Sequence, residues 1–347
     1  MIIVSIFIVF VLSIAVLSSL EPQILPLQVL FMVIGLMVFI IFSLLDYQIF
    51  SRLYLPLFIL ISLFLISGFI FGSRTRETLR WIRIGSFTIQ PSELVKPFLI
   101  LAFASFVSQG TWRFRRLLLT LIFLFLPAYL VFQQPDLGSS LVIVLVWLLI
   151  VSFKVDRKQT LFLLIFFLSG LFLTWNILRD YQKVRIQTFF KPLDDPLGKG
   201  YHLIQAKITA GSGKFSGRGL FHGTQSYLKF LPERTSDFIF ASLAEELGFL
   251  GCFILLAVYY YVLMQILKIA DNAQDEFGTL ICVGVFGLIF SQIVINVGMN
   301  LGLMPITGIT LPFVSSGGSS IVALMTSLGL VESVARRAKK RRLIEIK

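Results

Sequence analysis

Apolar runs long enough to cross a lipid bilayer recur along this chain, and no other feature restricts its fold as strongly. A span needs about 20 mostly apolar residues. On that template ten candidates are centred near 2–20, 28–45, 54–71, 93–108, 117–133, 139–153, 160–177, 238–267, 278–300 and 308–334. With 57% hydrophobic and only 14% charged residues and a mean hydropathy of +0.91, an ordinary soluble domain is excluded. The expectation is an all-α, polytopic membrane protein of about ten transmembrane helices, forming one domain over 1–347. One long extracytoplasmic loop, 178–236, separates helices seven and eight. Residues 1–20 have no basic region ahead of them, and Leu17-Ser18-Ser19-Leu20 is a poor cleavage site, so they read as a retained first span.

Charge sets the orientation. Alternate loops carry Arg52, then Arg113, Arg115 and Arg116, then Lys154, Arg157 and Lys158, then Lys268, and the basic tail 336–347 falls on the same side. By the positive-inside rule both termini are cytoplasmic. The formal charge of +12 is therefore no nucleic-acid footprint. Two opposite-side segments are basic nonetheless. Residues 73–92 hold Arg74, Arg76, Arg80 and Arg83, and the long loop holds ten Lys and Arg, among them Arg185, Lys207 and Arg218. Together they point to an outward-facing site for a phosphate or pyrophosphate, with a solvated face or lipid headgroups as the alternative.

The chemistry gathers around 231–251. A polar approach, Pro232-Glu233-Arg234-Thr235-Ser236, runs into Asp237 and an apolar helix that contains Glu245 and Glu246. Acids in a membrane span need a partner, a polar cavity or a task. At 100° per residue Glu245 lies about 80° around from Asp237 and Glu246 nearly opposite. Both glutamates can face one cavity only if the helix is irregular, and Glu245 is the expected cavity-facing or hydrogen-bonding member. Elsewhere Glu93 and Lys96 share a helix face, as a local ion pair or as part of an anion site. Asp136 precedes an apolar helix and reads as an N-cap or a ligand for sugar hydroxyls. Residues 201–210 form a short amphipathic or re-entrant helix ended by Gly211. Gly211-Ser212-Gly213-Lys214 fails as a phosphate-binding loop because Ile208 and Phe215 occupy required positions. Ser315-Ser316-Gly317-Gly318-Ser319 suggests a flexible helix start with free N–H donors. Cys252 and Cys282 read as buried thiols, and His202 and His222 lack companions at metal-ligand spacing.

The order of motifs resembles the SEDS family of bacterial peptidoglycan polymerases over nearly the whole chain. It runs through Arg80-Trp81-Ile82, Gln90-Pro91-Ser92-Glu93, Gln134-Pro135-Asp136-Leu137-Gly138, Gly223-Thr224-Gln225-Ser226, Asp237-Phe238-Ile239-Phe240-Ala241, Glu245-Glu246-Leu247-Gly248 and Pro312-Phe313-Val314-Ser315. Gly223 to Ser226 is more similar to the branch that serves cell elongation than to its division counterpart. The resemblance implies polymerisation of lipid II on the outer membrane face, with Asp237 as general base and undecaprenyl pyrophosphate as leaving group. It places Arg80, Trp81, Glu93, Lys96, Asp136, Gln225, Ser226, Glu245 and Ser319 at the substrate. No protein-bound metal or other cofactor is expected with certainty, although the pyrophosphate calls for Arg, Lys or a divalent cation. The implied partners are lipid II, the growing glycan, the elongation machinery and a class B penicillin-binding protein, whose membrane helix would dock near the eighth and ninth spans. A lipid II transporter or a cell-wall scaffold are the competing functions. The chain departs from the family pattern twice, with Thr235-Ser236 where His-Thr is usual and Ser316 where Tyr is usual.

Overall fold

The computed structural model describes residues 2–75, 78–84, 87–178, 180–196, 198 and 200–345. Arg76, Arg179 and Lys199 lie outside the described residues, as do the side chains of Arg74, Arg80 and the tail from Lys340. The chain runs α1 (Ile2–Leu20), α2 (Leu25–Leu44), α3 (Tyr54–Phe71), then strands β1 (Gly72–Thr75), β2 (Thr78–Ile84) and β3 (Phe87–Ile89). It continues as α4 (Pro91–Leu94), α5 (Lys96–Ser108), α6 (Phe114–Gln133), α7 (Leu137–Ser152) and α8 (Arg157–Ile177). The insertion contributes α9 (Asp180–Phe190), α10 (Tyr201–Ser212) and α11 (Thr224–Tyr227), and α12 (Ile239–Asp271), α13 (Glu276–Asn300) and α14 (Gly318–Glu345) close the fold.

Among the described residues eight helical segments are long and apolar enough to span a membrane. The shorter α7 and the partly described α8 occupy the sixth and seventh expected positions, so ten is reached only by adding them. Large apolar side chains on α1–α3, α6, α8 and α12 face outward, including Phe7, Met37, Ile70, Phe125, Leu168 and Phe253. This is the surface of a multi-pass membrane protein. Inside, α13 is nearly all buried. A Cβ on Gly284 would stand 2.6 Å from Ile100 of α5, and one on Gly287 would stand 2.6 Å from Leu149 of α7. Glycine at these two points lets helices approach closely where the hydrophobic effect gives no help.

The fold is mainly helical, as expected, and the basic segment after α3 adds one small antiparallel sheet of order β1-β2-β3, with Ser73 opposite Trp81 and Arg83 opposite Thr88. Alternating Ile and Arg with β-branched threonines suits a pleated ribbon. The tenth helix starts at Gly318, after a coil through Pro312, which has no N–H to donate to a helix.

The eighth expected span, α12, is two helices. Gly248 has φ 66° and ψ −167° within it. The piece after the break is about 35 Å long at 1.5 Å per residue and crosses the hydrocarbon unaided. Glu245 and Glu246 precede the break, in a half-helix buried on all sides by protein. They do not meet lipid.

Candidate functional site

The first half of α12 is surrounded by the insertion. α10 covers it through Ala206, which packs with Leu231, Phe238 and Ala241. The loop after α10 then enters the break, where Arg218 and Gly219 donate their N–H groups to the carbonyls of Glu245 (2.9 Å) and Glu246 (3.0 Å). Phe249 and Leu250 donate back to the carbonyls of Lys214 (2.9 Å) and Phe215 (3.1 Å). Backbone groups orphaned by the interruption are thus satisfied across it. No side chain fits where Gly217 faces Gly248, since a Cβ on either would lie 2.2 Å from the other strand's backbone.

Glu245 serves this assembly. Its carboxylate accepts the N–H groups of Gln225 (2.8 Å) and Ser226 (2.9 Å), one on each oxygen, and so caps α11 from another element. Gly223 suits this close approach, since a Cβ there would stand 3.0 Å from that carboxylate and push it aside. Gln205 of α10 donates to the Gln225 side chain, and Ser226 is fully buried. Glu246 accepts from Ser19, whose hydroxyl accepts the N–H of Phe221 at 2.7 Å.

Asp237 is half-buried, two residues before α12 begins. The four carbonyls leading to and including it are all engaged. Arg234 accepts from the Ser242 hydroxyl (3.2 Å), Thr235 from Ser316, Ser236 from the Ser315 hydroxyl (2.6 Å), and Asp237 from the side-chain amides of Asn296 and Asn300 (3.0 Å each). The serine-rich segment expected to be a flexible helix start is in fact a clamp. Its hydroxyls and the Ser316 N–H hold the Asp237 approach. On the other side stands Gly308, at φ +79°, where an added Cβ would lie 3.6 Å from Asp237 Oδ2. This glycine stands directly beside the carboxylate, in a left-handed conformation that side chains rarely adopt. Asn296, Asn300 and Gly308 escaped the sequence reading. An Asn pair four residues apart inside an apolar span was the available signal.

Cations border this end. Arg185 donates to the Ile306 carbonyl at 3.3 Å, and the Lys207 side chain lies over Gly302. The His202 ring is near parallel to that of Phe238, with centroids 6.4 Å apart. Burial and then the Arg185 charge lower its pKa, against an opposing pull from Glu233.

The remaining expected site residues form a second group. Glu93 and Lys96 are a buried ion pair, and the Ser139 hydroxyl donates to Glu93 at 3.5 Å. Asp136 caps α7 through the Ser139 N–H (3.1 Å) and also accepts from Ser92 (3.0 Å) and Gln90 (2.9 Å). The Ser319 hydroxyl accepts the N–H of Gln90 at 3.0 Å, tying α14 to the sheet. Trp81 is half-buried on β2, and the Arg80 side chain is outside the described residues. The two groups meet across the coil 307–311. Asn296 donates to the Ile309 carbonyl at 2.7 Å, and Ile309 packs against Gly138, next to Asp136 and Ser139.

The family model described as a cell cycle protein, FtsW/RodA/SpoVE, matches residues 1–340. The chain belongs to this family. It is 38% identical over 287 residues to the peptidoglycan glycosyltransferase MrdB of Escherichia coli strain K12, covering 82% of this chain and 78% of that protein. A solved structure describing coordination of polymerization and crosslinking by a peptidoglycan synthase complex contains a similar chain, at TM-score 0.84 and 28% identity over 97% of each. The rod shape determining protein RodA of Thermus thermophilus is similar at TM-score 0.73 and 27% identity, covering 96% of this chain and 95% of that one.

Proposed function

We propose that this protein is a peptidoglycan glycosyltransferase that polymerises lipid II on the outer face of the cytoplasmic membrane during cell elongation, with Asp237 as general base. The observation that carries the reading is a half-buried carboxylate on a backbone immobilised at four successive carbonyls, with Gly308 beside it. Asp237 would take the proton of the acceptor 4-hydroxyl as that oxygen bonds to the anomeric carbon of the donor. The bond from that carbon to undecaprenyl pyrophosphate breaks, and the leaving group departs with the electron pair. A positioned base of this kind typically contributes roughly 10²–10⁴-fold.

Arg185 and Lys207, on the rim at 302–306, are suited to the pyrophosphate charge. Glu93, Lys96 and Trp81 belong to the other side of the 307–311 coil and are proposed to contact the second substrate. Asp136, Gln225, Ser226, Glu245 and Ser319 serve by holding that framework, since their polar groups bond within it or are buried. Among the described residues no three His, Cys, Asp or Glu cluster as metal ligands. A divalent cation at the pyrophosphate is proposed to be held on the substrate's own oxygens. Both termini are assigned to the cytoplasm by loop charge. The partner is a class B penicillin-binding protein, its membrane helix against the outward faces of α12 and α13, where Phe253, Tyr260 and Phe290 are exposed.

The test is polymerisation of labelled lipid II in liposomes with that transpeptidase, comparing wild type with Asp237→Asn. Glycan strands are expected from wild type and none from a folded Asp237→Asn. Equal product from both would sink the base assignment, and lipid translocation without polymerisation by either would favour a transporter.

A further inference from the structure

In a regular helix the carbonyl of Asp237 would accept from the N–H of Ala241, four residues on. It does not. The Ala241 N–H donates to Asn300 Oδ1 at 3.0 Å, while Asn300 Nδ2 donates to the Asp237 carbonyl at 3.0 Å. A side-chain amide from α13 is thus spliced into what would be the first hydrogen bond of α12, and the helix begins at Ile239. Asn296, one turn earlier on α13, donates to the same carbonyl and to the carbonyl of Ile309. It therefore ties the Asp237 peptide to the segment carrying Gly308, the glycine beside the Asp237 carboxylate. Both asparagines are fully buried, and Asn300 Nδ2 is braced on the Asn296 carbonyl at 2.8 Å.

We propose that Asn296 and Asn300 are positioning residues for Asp237, which hold it outside the helix at a fixed distance from the 308–309 wall. The proposal rests on the general-base reading of Asp237. Without Asn300 the Ala241 N–H loses its acceptor and the Asp237 carbonyl keeps only Asn296, so the two can pair with each other, which would wind the aspartate into the helix and swing its carboxylate. A purely structural role is separable, because only Asn300 caps a helix N–H. Asn296 caps none; its amide N–H groups go to the two carbonyls, and its Oδ1 accepts from Asn300 Nδ2 at 3.2 Å.

The experiment uses the full chain reconstituted with its transpeptidase partner. Rates of lipid II polymerisation are measured across lipid II concentration and pH for Asn296→Ala, Asn300→Ala and Asp237→Asn, per monodisperse molecule, beside thermal unfolding. A displacement of about 1 Å can cost on the order of 10²-fold. The expectation for each asparagine variant is at least a tenfold fall in kcat, with KM within about twofold and a displaced acid limb in the pH profile. If Asn300→Ala does not fold, Asn296→Ala carries the test. Wild-type kcat and an unmoved acid limb in Asn296→Ala overturn the proposal, whatever its unfolding temperature. A fully active Asp237→Asn would instead sink the base assignment. An inactive Asp237→Asn beside fully active asparagine variants sinks the clamp alone.

Discussion

Ser316 donates twice to one carbonyl, that of Thr235, from its backbone N–H at 2.8 Å and from its hydroxyl at 2.9 Å. Thr235 precedes Asp237 by two residues, so the approach to the aspartate is gripped through its backbone.

Replacing Ser316 with alanine removes the hydroxyl bond and leaves the N–H. Stability should fall by about 1 kcal/mol, the net worth of one such hydrogen bond. Thermal unfolding of the detergent-solubilised protein should show a drop of a few degrees. Polymerisation should survive at a reduced rate, because three other carbonyls remain held.

Glu245 is more costly to lose. Glu245→Ala leaves the N–H groups of Gln225 and Ser226 without their acceptor. An unsatisfied buried donor costs about 1–3 kcal/mol, so the pair makes this among the most destabilising single changes in the insertion. Glu245→Gln keeps one acceptor oxygen and should fall between alanine and wild type. Limited trypsin digestion at Arg218 and Lys229 checks the order, with alanine cut fastest.

The Glu93–Lys96 pair allows stability and catalysis to be told apart. Removing either partner strands a buried charge at a cost of about 3–5 kcal/mol, whereas replacing both by neutral side chains of similar size is often close to neutral. Glu93→Gln with Lys96→Met should therefore unfold near the wild-type temperature, and either single change well below it. If the pair touches substrate, the stable double variant will still polymerise poorly. Wild-type polymerisation by the double variant would reduce the pair to a structural role.

The spans were legible because lipid imposes a length and a composition that few other contexts demand. The Asp136 cap was legible for a local reason, an aspartate directly before an apolar helix. Asn296 and Asn300 act on a residue 59 and 63 positions away, and no local pattern reports such a pairing. The sheet was missed because a four-arginine segment was read only for charge. The break at Gly248 could be suspected, since two adjacent acids cannot share one face of a regular helix. What fills it is not legible, because the occupant, 213–219, lies about thirty residues upstream, and the only local pattern it overlaps, Gly211-Ser212-Gly213-Lys214, fails as a phosphate loop.

The threading of 213–219 through the interrupted helix has a bearing on biosynthesis. The insertion leaves the ribosome before the span it docks on, and its seat is not complete until Leu250 and the helix behind it have followed. Until then α10 has no surface for Leu203 and Ala206, and α11 has no carboxylate at its start. Assembly at this end of the molecule thus has a built-in order, in which the bilayer must accept the eighth span before the reaction centre can exist.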